Sequence, residues 1–401
     1  MRTKFFPKMQ HPPAQIHAPD TALVKHSRRL LDLIRDEVAA HGGPLPFERY
    51  MELALYAPGL GYYVTGTPKF GPQGDFTTAP ELSPLFGACI AAQCREVLEA
   101  LGDGDILEFG AGSGALAAQI LSSLSLAATL PRNYLILEPS PGLRAGQQRL
   151  LTEQVPELLA HVRWLDRLPI QLRGCILANE VLDAMPVHRF RIGADGRPLE
   201  LCVRPAPNGL EEVTEPVRPD LAMALGALQD QGLAVDPGYE SELNLRLAPW
   251  IRALAEILEQ GLVLLIDYGY PRAEYYRSDR RCGTLLCHYR HRAHSDPYLY
   301  LGLQDITAHV DFTALAEAGT QAGLRIAGFT TQAHFLIGCG LDRLLAQVAA
   351  GPDAMGAILG AKQLVLPSVM GESFQVIGLD KGLTGDRIGF SFRDLRDRLG
   401  F

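Results

Sequence analysis

The chain is predicted to be an α/β protein with a Rossmann-like core, an N-terminal helical extension and an inserted segment, on three observations. Asp105-Ile106-Leu107-Glu108-Phe109 is an apolar run that passes through a carboxylate into the glycine turn Gly110-Ala111-Gly112-Ser113-Gly114 and on into helix-forming sequence over 115–121. One βαβ distance later, Tyr134-Leu135-Ile136-Leu137 is a second apolar strand, ending in Glu138. A third, Cys175-Ile176-Leu177-Ala178, opens onto Asn179, Glu180 and Asp183. Strands alternating with helical stretches build a parallel sheet whose ligands lie outside the strands' carboxyl ends.

In chain order, residues 1–20 are basic, hold no acid before Asp20 and read as a loose tail. Residues 21–101 form a helical extension around a glycine- and proline-rich loop, 58–84, that is too long for a connector and is expected to bind something. Within it Gly71-Pro72-Gln73-Gly74-Asp75-Phe76-Thr77-Thr78 supplies a turn, hydroxyls and a carboxylate, and Ser83 with Pro84 reads as the N-cap and first-turn proline of a helix over 85–100. The first part of the core spans 102–191. An insertion follows over 192–260, its rhythm broken to about 236 and helical from 240 to 260. The remaining core, 261–401, contains a buried strand over 262–269, a helix over 311–323 and a last strand at 374–377, and Asp305-Ile306-Thr307 reads as a helix start.

The glycine turn is suited to a nucleotide, because glycines adopt positive φ, carry no Cβ to hold a ligand off the backbone, and lead into a helix N-terminus with unpaired N–H donors. Gly110-x-Gly112-x-x-Ala115 also fits the looser dinucleotide fingerprint. Glu108 decides between cofactors. At about 5 Å and an effective dielectric of about 20, its charge would oppose each pyrophosphate charge by roughly 3 kcal/mol. The ammonium and sulfonium of S-adenosylmethionine attract it instead. Glu138 then becomes the acceptor for both ribose hydroxyls, and Val162-Arg163-Trp164-Leu165-Asp166 a third strand end with Asp166 near the adenine amino group.

Asn179, Glu180 and Asp183 are the candidate acceptor-side residues. For a guanidinium acceptor, paired carboxylates orient the planar fork and favour proton loss as the C–N bond forms. An i, i+3 acid pair in a helix's first turn, complementing its dipole, accounts for Glu180 and Asp183 equally well. Asn179 lacks the following Pro-Pro-aromatic sequence of many amino-group DNA methyltransferases, which counts against a DNA base.

The histidines of His288-Tyr289-Arg290-His291-Arg292-Ala293-His294 recur at three-residue steps, but the interleaved arginines repel a cation, so a polar substrate-facing loop is expected and no metal. Seven cysteines without a C-x-x-C pair indicate reduced thiols. A net charge of −8 with no basic block speaks against a nucleic-acid binder and suits an arginine-bearing protein substrate. No apolar run reaches a membrane span and no signal-peptide core is present, so the cytoplasm is the expected compartment.

Several segments together resemble one family: Gly74-Asp75-Phe76-Thr77-Thr78-Ala79-Pro80-Glu81-Leu82-Ser83-Pro84, the Glu108 glycine turn, Glu138-Pro139-Ser140, Asn179-Glu180-Val181-Leu182-Asp183-Ala184-Met185-Pro186, Ile266-Asp267-Tyr268-Gly269 and Asp305-Ile306-Thr307-Ala308-His309-Val310-Asp311-Phe312. They are similar to the MidA-type methyltransferases, from about residue 45 to about 380. The resemblance implies a class I methyltransferase core using S-adenosyl-L-methionine. It implies that Gly74, Thr77, Gly110, Glu138 and the region of Asp166 line the cofactor pocket beside Glu108, Gly112 and Gly114. It also implies that Asn179, Glu180 and Asp183 face the acceptor. Mitochondrial members are implied to dimethylate, symmetrically, an arginine of a respiratory complex I subunit. A small-molecule methyltransferase and a cofactor-binding assembly factor without turnover are the competing expectations.

Overall fold

A computed structural model describes residues 21–65, 69, 75, 77–207, 209–348, 354–367 and 369–400. Its centre is a mixed sheet of strands β1 (Asp105–Phe109), β2 (Tyr134–Leu137), β3 (Val162–Leu165), β4 (Leu172–Asn179), β5 (Leu258–Tyr270), β6 (Arg325–Thr331) and β7 (Phe374–Lys381). They lie in the order β3-β2-β1-β4-β5-β7-β6, with a short strand Val310–Asp311 beside the end of β5. Pairings from β3 to β5 are parallel, and β7 runs antiparallel to both neighbours. This is the class I methyltransferase topology: the winding reverses between β1 and β4, which opens a crevice above their carboxyl ends.

Alternation along the strands supplies both faces. Ile106, Cys175, Leu177 and Leu264 bury against the helices Pro84–Leu101 and Ala115–Leu126. Leu107, Ile176, Ala178 and Val263 bury against Leu247–Ile257 and Phe312–Gln321. Such near-continuous apolar strands are what a sheet covered on both faces requires. Ser83 caps the first of these helices, its Oγ accepting from Leu85 N at 3.3 Å.

Two smaller sheets flank the core. One is antiparallel and joins Leu45–Pro46 from the N-terminal region to Pro198–Ala206, His188–Ile192 and Glu240–Leu243, with Gly209–Pro216 on the outside. The other groups Arg292–His294, Leu286–Tyr289 and Asp305–Thr307. Among the described residues no helix is long and apolar enough to cross a membrane.

Two sequence expectations need correction. The helical period over 240–260 divides into the strand Glu240–Leu243, the helix Leu247–Ile257 and the opening of β5, because 240–243 complete the antiparallel sheet against 188–191. Asp305 does not start a helix. It opens a short strand, its carboxylate taken by the Tyr63 hydroxyl and Ile306 N, and the cap passes to Asp311, which accepts from Ala314 N at 3.0 Å.

Candidate functional site

A cleft of about 460 Å³ opens above the ends of β1, β2 and β4, at the reversal of the sheet. Its floor is the glycine turn. Gly110, Gly112 and Gly114 all lie at positive φ (59°, 55° and 91°), where a side chain is strained. A Cβ on Gly114 would also sit 3.2 Å from Gln147 Cα, so glycine lets the turn pack on the helix Pro141–Gln154.

Glu108 and Glu138 stand on the cleft wall, each 3% exposed. Burial raises the Glu108 carboxyl to about 7, against a hydrogen bond from Tyr134 that lowers it. Burial also raises Glu138, although Oε1 accepts from Ser140 N at 2.9 Å and Oε2 from Gln147 Nε2 at 3.1 Å. Gln147 is a linchpin that sequence reasoning missed. The same amide nitrogen donates to Gly112 O, and Oε1 accepts from Trp164 Nε1 at 2.9 Å, so one side chain joins the glycine turn, Glu138 and β3.

Across the cleft, β4 ends at Asn179 and Glu180 follows it, both on the wall. No helix follows, so the acid pair does not serve a helix dipole. Glu180 instead takes the left-handed conformation at φ 54°, rare for a residue with a side chain and costly unless its surroundings hold it. Asn179 Nδ2 donates to Glu180 Oε1 at 3.1 Å, whereas Asn179 Oδ1 is buried without a hydrogen-bond partner. Burial, then the charge of Asp267, raises Glu180 to about 8 and Asp183 well above the carboxylate range. Among the described residues neither acid has an ion-pair partner within 4 Å.

The N-terminal extension closes this side with Tyr56 and Tyr63, whose rings stack at 5.6 Å. Tyr56 donates to Ala184 O at 2.9 Å and Tyr63 to both oxygens of Asp305 at 3.0 Å. Asp305 is raised by burial to about 7. Behind them the hairpin of 286–294 turns through Arg290 and His291, both at positive φ, and Asp75 holds that turn by accepting from Arg290 N at 2.6 Å and His291 N at 3.0 Å.

The structure thus brings Glu108, Gly110, Gly112, Glu138, Asn179 and Glu180 to one cleft. Gly114 supports it from behind, and Asp183 is buried beside it, its carbonyl accepting from Ala308 N. Thr77 is exposed and off the wall, while its neighbour Thr78 lines it. Asp166 is not brought to the cleft: its side chain is 89% exposed and pairs outward with Arg144 at 2.7 Å. Gly74 lies outside the described residues.

The family model for S-adenosyl-L-methionine-dependent methyltransferases matches residues 89–330, which contain the glycine turn and all three strand ends. The chain belongs to this MidA-type methyltransferase family. A crystal structure from Burkholderia thailandensis bound to S-adenosyl-homocysteine superposes with a TM-score of 0.90 at 40% identity, covering 95% of this chain and 99% of that one. Protein arginine methyltransferase NDUFAF7, mitochondrial, of Danio rerio is 29% identical over 83% of this chain and 82% of its own length. Its Drosophila melanogaster homolog is 27% identical over 94% and 90%. The methyltransferase's cofactor is S-adenosylmethionine, and its class I core is the one the sequence led us to expect.

Proposed function

We propose that the methyltransferase acts on an arginine guanidinium of a protein substrate, with symmetric dimethylarginine as the product. The observation that carries this reading is the acceptor side of the cleft. Asn179 Oδ1 is a buried acceptor without a donor, and beside it Glu180 and Asp183 lack a cation. A planar group with several N–H donors and a positive charge would satisfy Asn179 and Glu180 on the wall, with Asp183 buried beside them. The names of the mitochondrial relatives, arginine methyltransferases at 26–29% identity, support the same substrate class.

The cofactor, when bound, supplies a sulfonium methyl as electrophile. Glu108 would hold its ammonium and Glu138 its ribose hydroxyls, over the backbone of Gly110 and Gly112. Asn179 and Glu180 would align the acceptor nitrogen on the line of transfer. With the cofactor in place its sulfonium methyl would pass to the acceptor nitrogen, with S-adenosylhomocysteine as the leaving group, and Glu180 or Asp183 would take the proton that this nitrogen sheds. Their raised proton affinity suits them to receive it.

The test is incubation of the protein with methyl-labelled S-adenosylmethionine and an extract from cells lacking it, followed by complete hydrolysis, with Asp183→Asn as control. Label in symmetric dimethylarginine that disappears with the variant supports the reading. Label confined to small molecules establishes a metabolite enzyme, and cofactor binding with no label from any extract establishes an assembly role.

A further inference from the structure

We infer that Asp267 is a positioning residue for methyl transfer: it grips the backbone of the acceptor segment and holds Glu180 and Asp183 in their working geometry. This rests on the reading of those two acids as acceptor-facing.

The inference follows from where the two strands part. β4 and β5 pair in parallel up to Asn179 opposite Ile266. Glu180 N then makes the last ladder bond, to Ile266 O at 2.9 Å, and the chain turns away. β5 runs on, pairing Asp267 with Gln375 and Tyr268 with Phe374 of β7 on its other side. The amides after Glu180 are left without a strand partner, and all three converge on one atom. Asp267 Oδ2 accepts from Val181 N at 3.1 Å, Leu182 N at 2.8 Å and Asp183 N at 3.2 Å, while Oδ1 accepts from Tyr268 N at 2.8 Å.

Successive N–H groups converging on an anion form a nest, and here the anion comes from the protein itself. Asp267 is fully buried, so water cannot replace it. An aspartate fits because it offers acceptors only. An asparagine in the same pose turns its amide donor toward Tyr268 N–H or toward the nest, and a glutamate displaces the oxygen by a methylene. Glu180 takes its left-handed φ at the bend whose next three amides Asp267 holds.

Asp267 also acts on the acids electrostatically. Glu180 is faced by Asn179, the Ala79 amide, Glu81, Tyr268 and Asp267. Asp183 is faced by Asp305, Glu180, Tyr56, Tyr63, Tyr268 and Asp267. Asp267 is the largest charge acting on either acid. Neutralising it should let both ionise at lower pH.

The experiment compares wild type with Asp267→Asn, Asp267→Glu and, as a stability control from the same strand, Val263→Ala. It measures S-adenosylhomocysteine affinity, amide exchange at 181–183, and labelled methyl transfer to extract protein against pH. For Asp267→Asn the expected result has four parts. Affinity stays within threefold, exchange at 181–183 is at least 100-fold faster, transfer falls at least 100-fold, and its acid limb moves at least half a pH unit lower. Val263→Ala should leave both exchange at 181–183 and the acid limb in place. Should Asp267→Asn not fold, Asp267→Glu carries the exchange and transfer measurements. A variant at 267 that folds with exchange or acid limb at wild-type values overturns the inference. A wild type that labels no protein overturns the arginine reading instead, so the two failures are distinct.

Discussion

Tyr134 and Glu108 meet from adjacent strands, the tyrosine hydroxyl donating to Glu108 Oε2 at 2.8 Å with both side chains buried. That bond opposes, without overcoming, the burial that raises Glu108 to about 7. A carboxyl that must ionise to hold the cofactor's ammonium couples binding to proton release. S-adenosylhomocysteine is therefore expected to bind more tightly as pH rises from 6 to 7, at up to about tenfold per unit, and to level off above. Tyr134→Phe should move the midpoint upward. Calorimetry in two buffers of different ionisation heat reads the proton directly, and affinity that stays flat across this range would detach Glu108 from the ammonium.

Free protein should lose stability toward alkaline pH. Burial raises Glu108 and Asp305 to about 7 and Glu180 to about 8. Each is raised above its unfolded value, so its contribution is full below about pH 4 and is lost as pH rises through the folded value. His309, lowered by burial to about 4, acts oppositely and adds stability as pH rises to about 6.5. Three carboxylates outweigh one imidazole. The net loss between pH 5.5 and 8 is expected to be a few kcal/mol, a fall of several degrees in Tm by scanning calorimetry. A Tm that climbs over this interval would mean that the acids are charged in the free protein.

Glu138 and Asp166 end adjacent strands and should behave differently. Glu138 faces the cleft with its carboxylate oriented by Gln147 and Ser140 N. On the proposed role of Glu138 as ribose acceptor, losing two charge-assisted bonds at about 1.5–3 kcal/mol each places Glu138→Ala at least about tenfold weaker for S-adenosylhomocysteine. Asp166 is mostly exposed, and its pair with Arg144 is a surface contact of about 0–1 kcal/mol. Asp166→Ala should stay within about threefold by isothermal titration. Comparable losses in the two variants would put Asp166 in the bound site.

Legibility in the sequence followed the range of the forces. Glu108, Glu138 and Asn179 were readable because an apolar run meeting a polar residue marks a buried strand reaching a surface, and both facts are local. The glycine turn was readable because positive φ at 110, 112 and 114 leaves glycine as the unstrained choice. Asp305 was misread because capping a helix and ending a strand look alike in sequence, and here the choice is made by Tyr63, far away in the chain. Gln147 left no local signal, since its three partners come from two strand ends and the glycine turn. β6 escaped notice, and its pairing with β7 draws together segments separated by three helices.

Gly114 tests how far the floor of the cleft depends on backbone conformation. It is the N-cap of Ala115–Leu126 at φ 91°, and an added Cβ would press on Gln147 Cα at 3.2 Å. Gly114→Ala therefore combines a strained φ, on the order of 1–3 kcal/mol, with a push on the residue that orients Glu138 and Gly112 O. Both effects act in the same direction. The variant should melt several degrees lower and bind S-adenosylhomocysteine at least about tenfold more weakly, because about 1.4 kcal/mol of displaced contacts is one decade in affinity. Raising the cofactor concentration should restore part of the lost Tm, since binding to the folded state alone stabilises it. A variant with wild-type affinity would show that the turn reaches its cofactor-bound shape without Gln147 in register.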